Sequence, residues 1–168
     1  MVKVDESYIR DPFNLHGLQQ EINMTKEKFR KCLELILSER PPNEIELQDQ
    51  QFLELNQDAS DLYGLIHSRF INTSAGMAKV HQKFLQGLYG QCPRGLCDRQ
   101  KVLPVGMSDT LKISRFKQYC PRCREVYVPK FKVVNIDGAY FGTSFPHHFL
   151  QHHRDAILLP PKVFFYEP

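Results

Sequence analysis

Several absences narrow the function of this chain before any motif is read. No apolar run in the sequence approaches the roughly 20 residues a helix needs to span a bilayer, so no transmembrane segment is expected. The opening residues, Met1-Val2-Lys3-Val4-Asp5-Glu6, lack the apolar core of a signal peptide. The expected location is therefore a reducing one, cytoplasm and nucleus, where lasting disulfides are not expected. His153-Arg154-Asp155 spells the catalytic-loop triplet of protein kinases, yet no Asn follows at the required place, and there is no Gly-rich loop, no paired lysine motif and no Asp-Phe-Gly. The triplet reads as coincidence, and no enzymatic activity of the chain's own is expected.

What is present begins with cysteine. Four of the five cysteines stand as C-x4-C-x22-C-x2-C, Cys92 and Cys97 in QCPRGLCD and Cys120 and Cys123 in YCPRCREVY. Two cysteines on a tight turn place two thiolates on one knuckle, and two knuckles complete the tetrahedral shell that zinc prefers. Two disulfides, or thiols scattered through a core, are the alternatives. Pro93 and Pro121 each follow the first cysteine of a pair. Fixing φ there leaves the next amides of the turn free to point at sulfur, which lowers the cost of holding negative charge. The expectation is one structural zinc per chain. A catalytic zinc is not expected, since four thiolates leave no position open to water and no Glu or His stands in a motif that supplies a general base. Cys32 lies apart, on the apolar face of a predicted helix, and reads as a small core residue.

At 168 residues, with 42% apolar and 24% charged content, the chain has the make-up of a soluble globular protein of one ordinary domain or two small ones. Charge divides it near Tyr89-Gly90. Residues 1 to 90 hold 10 Lys and Arg against 13 Asp and Glu, and residues 91 to 168 hold 12 against 6. An acidic half thus precedes a basic half that begins with the first cysteine.

The acidic half reads as helical. After a short piece from Asp5 to Leu18, Thr25 is the predicted N-cap of a helix with Phe29, Cys32, Leu33, Ile36 and Leu37 on its apolar face, stopped by Pro41-Pro42. A longer helix carries Phe52, Leu55, Ala59, Leu62, Tyr63, Ile66 and Phe70. Asn72-Thr73-Ser74 breaks it, and a third presents Met77, Val80, Phe84 and Leu88, enough in all for a small helical core. The basic half reads as strands over residues 101–105, 116–119, 125–128 and 139–141 around the cysteines, a zinc-ribbon pattern. A last helix is predicted from Phe145, and Pro160-Pro161 leads into the apolar strip Val163-Phe164-Phe165-Tyr166. The fold class is α+β.

The stretches DLYGLIHSRFI (Asp61 to Ile71), YGQCPRGLC (Tyr89 to Cys97), LPVGMSD (Leu103 to Asp109), YCPRCREVYVPK (Tyr119 to Lys130) and DGAYFGTSFPH (Asp137 to His147) resemble the regulatory beta subunits of casein kinase II. The likeness runs from about Asp5 to Pro168, and its motifs are long and in order. It implies a helical domain over residues 1–88, a zinc-ribbon dimerisation domain over 89–146, and a C-terminal helix and kinase-docking tail over 147–168. On this resemblance Cys92, Cys97, Cys120 and Cys123 are the zinc ligands. The partners it implies are a second copy of the chain and the catalytic alpha subunit, in a heterotetramer of two alpha and two beta chains.

The docking segment departs from the family's Pro-Arg-Leu-Tyr-Gly-Phe. Here it reads Pro161-Lys162-Val163-Phe164-Phe165-Tyr166, so that Phe164 and Tyr166 are the expected anchors with Phe165 in place of a glycine; the alternative is a hairpin of different shape or a shifted register in which Phe165 is itself an anchor. Only Ser7 lies near the start, where longer members carry a phosphorylated serine-rich segment, and the family's acidic loop is reduced to Glu44, Glu46, Asp49, Glu54 and Asp58. Weaker control through these features is expected, since attraction for polycations follows local charge density. His147, His148, His152 and His153 read as a solvated helix face, with a second metal site as the alternative. Arg94, Arg99, Arg115, Lys117, Arg122 and Arg124 surround the knuckles. A stand-alone zinc ribbon that binds nucleic acid or a transcription complex is the alternative function, but an apolar tail has no evident use there, and nucleic acid is not an expected partner.

Overall fold

The computed structural model describes residues 1–38, 40–129 and 135–156. The chain forms two compact units, one from Lys3 to Phe70 with Met1, the other from Ile71 onward with Val2. No described helix is long and apolar enough to cross a membrane.

The first unit contains α1 (Glu6–Arg10), α2 (Pro12–Leu15), α3 (Leu18–Glu21), α4 (Lys26–Ile36), a 3-10 turn at Glu46–Gln48 and α5 (Gln50–Phe70). The starts of these helices follow from local chemistry. The Asp11 carboxylate accepts from the Phe13 amide and Pro12 occupies the first turn of α2, while the Thr25 hydroxyl accepts from the Lys28 amide at 3.3 Å. Asn43 and Glu46 form a reciprocal capping box: the Glu46 carboxylate accepts from the Asn43 amide and the Asn43 side chain from the Glu46 amide, both at 2.8 Å.

Packing in this unit centres on α5. Cys32 on α4 is fully buried, as its position on the apolar face predicts, while Phe29, Leu33, Ile36 and Leu37 are only half-buried. The C-terminal half of α5 is covered on every side, with Asp61 and His67 buried alongside Leu62, Leu65, Ile66 and Phe70, whereas a period of three and four residues marks a single stripe. The Tyr63 hydroxyl accepts from the Val4 amide at 3.1 Å. The Arg69 guanidinium donates to the carbonyls of Asn14 and His16 and pairs with Glu21, so the short helices are held to the end of α5.

The second unit opens with α6 (Ser74–Leu85) and continues through β1 (Leu103–Val105), β2 (Lys117–Tyr119), β3 (Val126–Tyr127) and α7 (Phe145–His152). Thr73 caps α6 through the Gly76 amide at 3.1 Å. Met77, Val80 and Phe84 are buried, but Leu88 lies past the helix end and is 62% exposed. The sequence groups α6 with the earlier helices; its Phe84 ring meets Phe149 of α7 edge-on, with centroids 5.5 Å apart. The three strands form one antiparallel sheet in the order β1-β2-β3, with Leu103 opposite Tyr119 and Tyr119 opposite Val126.

The predicted strand at 139–141 is a 3-10 turn, Gly138–Tyr140, instead. Asp137 accepts from the Ala139 amide at 2.9 Å and starts the turn. The backbone of Gly138 passes so close to Gly106 that a Cβ on Gly106 would stand 2.4 Å from the Gly138 carbonyl oxygen. Capping and close approach therefore override the strand preference of Tyr140 and Phe141. The same region is held by Asp109, whose carboxylate accepts from the Thr143 amide at 2.7 Å and hydroxyl at 3.1 Å.

Candidate metal centre

Two knuckles bring Cys92, Cys97, Cys120 and Cys123 together, with all four sulfurs within 4.8 Å of one another. In the first, the Cys92 amide donates to the Gln100 carbonyl at 2.7 Å, and a 3-10 turn at Gly95–Cys97 reverses the chain through Asp98 and Arg99. Both of these residues take left-handed φ, 48° and 55°. In the second, Cys120 directly follows β2 and β3 begins at Val126, so the knuckle is the turn of a hairpin. There the Arg124 amide donates to the Cys120 carbonyl at 2.8 Å, and Arg124 itself has φ 62°. Left-handed φ at three non-glycine residues costs of order 1–3 kcal/mol each, which only a constraint from the surroundings sustains.

Cys92, Cys97 and Cys120 are buried and Cys123 is half-buried; all five cysteines are free thiols. The thiols differ in how readily they ionise. Burial, reinforced by the neighbouring thiols, pushes Cys97 up to about 11, and burial raises Cys120 further still, against hydrogen bonds from the Cys123 and Arg122 amides. Burial would raise Cys123 as well. The Tyr127 hydroxyl at 3.3 Å, the Glu125 amide and the neighbouring thiols outweigh it and bring Cys123 down to about 7. Cys123 thus loses its proton more readily than Cys97 or Cys120, and a divalent cation among the four sulfurs would displace the protons that remain. The expected freeing of amides after proline holds at the second knuckle, where Arg122 and Cys123 follow Pro121 and both amides reach Cys120.

Tyr127, which the sequence did not single out, belongs to the site, and so does Arg122, one of the six cations expected around the knuckles. Tyr127 supports Cys123, and only the hairpin closure places it there. Arg122 pairs with Asp98 at 2.6 Å, tying one knuckle to the other, with 22% of its side chain exposed. Of the six cations around the knuckles, Arg122 alone has its ion pair on the opposite knuckle among the described residues. Four converging thiols, three of them buried, can hold a soft or borderline metal ion and leave no ligand position for water.

The other predicted site, Val163, Phe164, Phe165 and Tyr166, lies outside the described residues. The histidines separate into different surroundings. His148 Nδ1 lies 2.8 Å from the Asn72 side-chain oxygen, and His152 Nδ1 lies 2.9 Å from the His148 carbonyl oxygen. His147 lies near the Tyr119 ring, and His153 stacks on His81.

Comparison with known proteins places this geometry in context. The family model described as casein kinase II regulatory subunit matches residues 1–166. The casein kinase II subunit beta of Dictyostelium discoideum is 42% identical over 159 residues, which cover 94% of this chain and 57% of that protein. The subunit beta of Schizosaccharomyces pombe is 46% identical over 151 residues, 89% of this chain and 62% of that protein. The subunit beta' of Drosophila melanogaster is 43% identical over 155 residues, 92% of this chain and 68% of that protein. The chain therefore spans about three fifths of the length of the first two relatives.

Proposed function

The chain belongs to the casein kinase II regulatory subunit family, and from that premise we propose that it is a non-catalytic subunit that holds one structural zinc, dimerises through the zinc-bearing sheet and docks catalytic subunits. The observation that carries this reading is the convergence of four thiols in a chain matched by the family model over residues 1–166. Zinc suits the donor set, since an all-thiolate tetrahedron is a closed structural site. Cys92, Cys97, Cys120 and Cys123 would hold it, and the bound ion would supply the folding energy that three short strands lack.

Dimerisation is supported by what the sheet leaves uncovered. Val105 and Phe141 are buried within the chain, but Val126 is 41% and Val128 68% exposed, and Leu96, Met107 and Ile113 of the same unit are also exposed. Such apolar surface on a small unit is suited to a second copy. Phe164 and Tyr166 are the proposed anchors for a catalytic alpha subunit, by addition of an extended strip to a sheet edge, and the assembly is two alpha with two beta chains.

Co-expression with a catalytic alpha subunit, followed by mass and zinc determination on the purified complex, tests all three parts. The expected result is a tetramer with one zinc per regulatory chain. Phe164→Ala with Tyr166→Ala should release the alpha subunit without changing zinc content or dimer mass, each anchor contributing on the order of 2 kcal/mol, about 30-fold in affinity. Undiminished binding by the double variant would move docking away from the tail. A chain that co-purifies with nucleic acid instead, in a salt-dependent way, would reverse the proposal.

A further inference from the structure

A second cluster of metal-ligating groups lies in the same unit, apart from the cysteines. His81 on α6, His153 at the end of α7 and Asp155 in the following 3-10 turn have donor atoms all within 4.8 Å of one another. The His81 and His153 rings stack with centroids 4.0 Å apart and 22° between planes, and both lie against the Phe149 ring. His81 Nε2 is buried and makes no hydrogen bond among the described residues. Oδ2 of Asp155 is 4.0 Å away, too far to accept from it.

A buried imidazole nitrogen without a partner costs free energy unless something fills the gap. Two imidazoles and a carboxylate form a donor set suited to a borderline divalent ion. We propose that His81, His153 and Asp155 form a second metal site, which takes Zn2+ or a similar divalent transition ion with water completing the shell. Bonds of about 2.0–2.1 Å hold ligand atoms about 3.3 Å apart around a tetrahedral ion. The present spread of at most 4.8 Å closes by about 1.5 Å. Rotation of His153 about χ2, a soft torsion, takes its ring out of the stack and turns its lone pair toward the gap. Asp155, 72% exposed, is free to follow. The ion would pin the turn at Arg154–Ala156 onto α6, joining segments 72 residues apart at His81 and His153. His148 and His152, one helical turn apart, are engaged elsewhere, by the Asn72 side chain and by the His148 carbonyl.

The test uses the full chain, saturated first at its thiols. Calorimetric titration with Zn2+ should show a further equivalent. Titration with Co2+ should show uptake whose absorption lacks the thiolate-to-metal charge-transfer bands that report the four-cysteine centre, so that each site is read separately. His81→Ala and Asp155→Asn should each weaken the further equivalent at least about tenfold, while His148→Ala leaves it unchanged. Asp155→Asn alters an exposed group and keeps the experiment decisive if His81→Ala does not fold. No further equivalent, or one that His81→Ala and Asp155→Asn leave intact, overturns the proposal, as does its loss in His148→Ala.

Discussion

Gly106→Ala is the most demanding test of the packing that supports the metal-bearing sheet. The added Cβ would stand 2.4 Å from the Gly138 carbonyl oxygen and 2.8 Å from its carbon, where ordinary contact begins near 3.4 Å. Both obstructing atoms are backbone, so no side chain can swing away. The Gly138 carbonyl also cannot retreat freely, because it accepts from the Phe141 and Gly142 amides at 3.0 and 3.1 Å, while the Gly138 amide donates to Ser114 at 2.8 Å. Overpacking of this kind costs about 1–3 kcal/mol, and distortion of the bonds to Gly138 adds about 1 kcal/mol. The expected loss of about 2–4 kcal/mol corresponds to a fall in Tm on the order of 10–20 °C for a unit of this length. Two further glycines isolate the cause. Gly87 has φ 71° and nothing within 4 Å of a built Cβ, so Gly87→Ala should cost only the left-handed penalty, about 1–2 kcal/mol. Gly95 has open space and no positive φ, so Gly95→Ala should be neutral or stabilise by up to about 1 kcal/mol. Urea and thermal unfolding of the metal-loaded chains give the order directly. A Gly106→Ala protein within about 0.5 kcal/mol of Gly95→Ala would refute the close approach of the two backbones.

Cys120→Ser should leave the second unit unfolded, because the proposed structural zinc would contribute about 10–16 kcal/mol against a domain stability of about 5–15 kcal/mol; a folded, metal-free variant by circular dichroism would contradict the structural role. Tyr127→Phe should keep the fold yet lower zinc affinity about tenfold in competition with a chelator, since Cys123 loses the hydroxyl at 3.3 Å that favours its thiolate. The Glu46 carboxyl is held below its ordinary value by the Asn43 amide first and the Arg40 guanidinium second. The stabilisation it gives its turn is therefore complete above the ordinary carboxyl value and is lost as pH falls through the lower folded one. A titration by NMR should place its midpoint low, and removal of Arg40 should raise it.

How much of this was legible in the sequence depends on the range over which each signal acts. Thr25 and Thr73 cap helices through amides three residues away, so adjacent sequence contains both partners. The knuckles are likewise local, and their convergence follows from the two short cysteine spacings. Burial of α5 on every side is different, since Asp61 and His67 lie off the predicted stripe and are buried all the same. The turn at Gly138–Tyr140 was hidden for a related reason. Its aromatic residues read as strand, while the deciding contact is with Gly106, more than thirty residues earlier.

The same distinction explains why the cysteine motif located the candidate metal centre but not how Tyr127 and Arg122 engage it. Spacing specifies which sulfurs meet, whereas Tyr127 reaches Cys123 only after β2 and β3 have paired in register, with Gln118 opposite Tyr127. Arg122 meets Asp98 only after the knuckles have come together. Both groups therefore act on an assembled site. Tyr127 favours the charged form of the least buried thiol, and the Arg122 cation, held by Asp98, would offset part of the negative charge that four thiolates would leave around a divalent ion. If that order is right, the hairpin's register matters to the metal as much as its cysteines do. A substitution that shifts the register by one residue would turn Tyr127 to the opposite face of the sheet, and would weaken zinc binding while leaving every ligand in place.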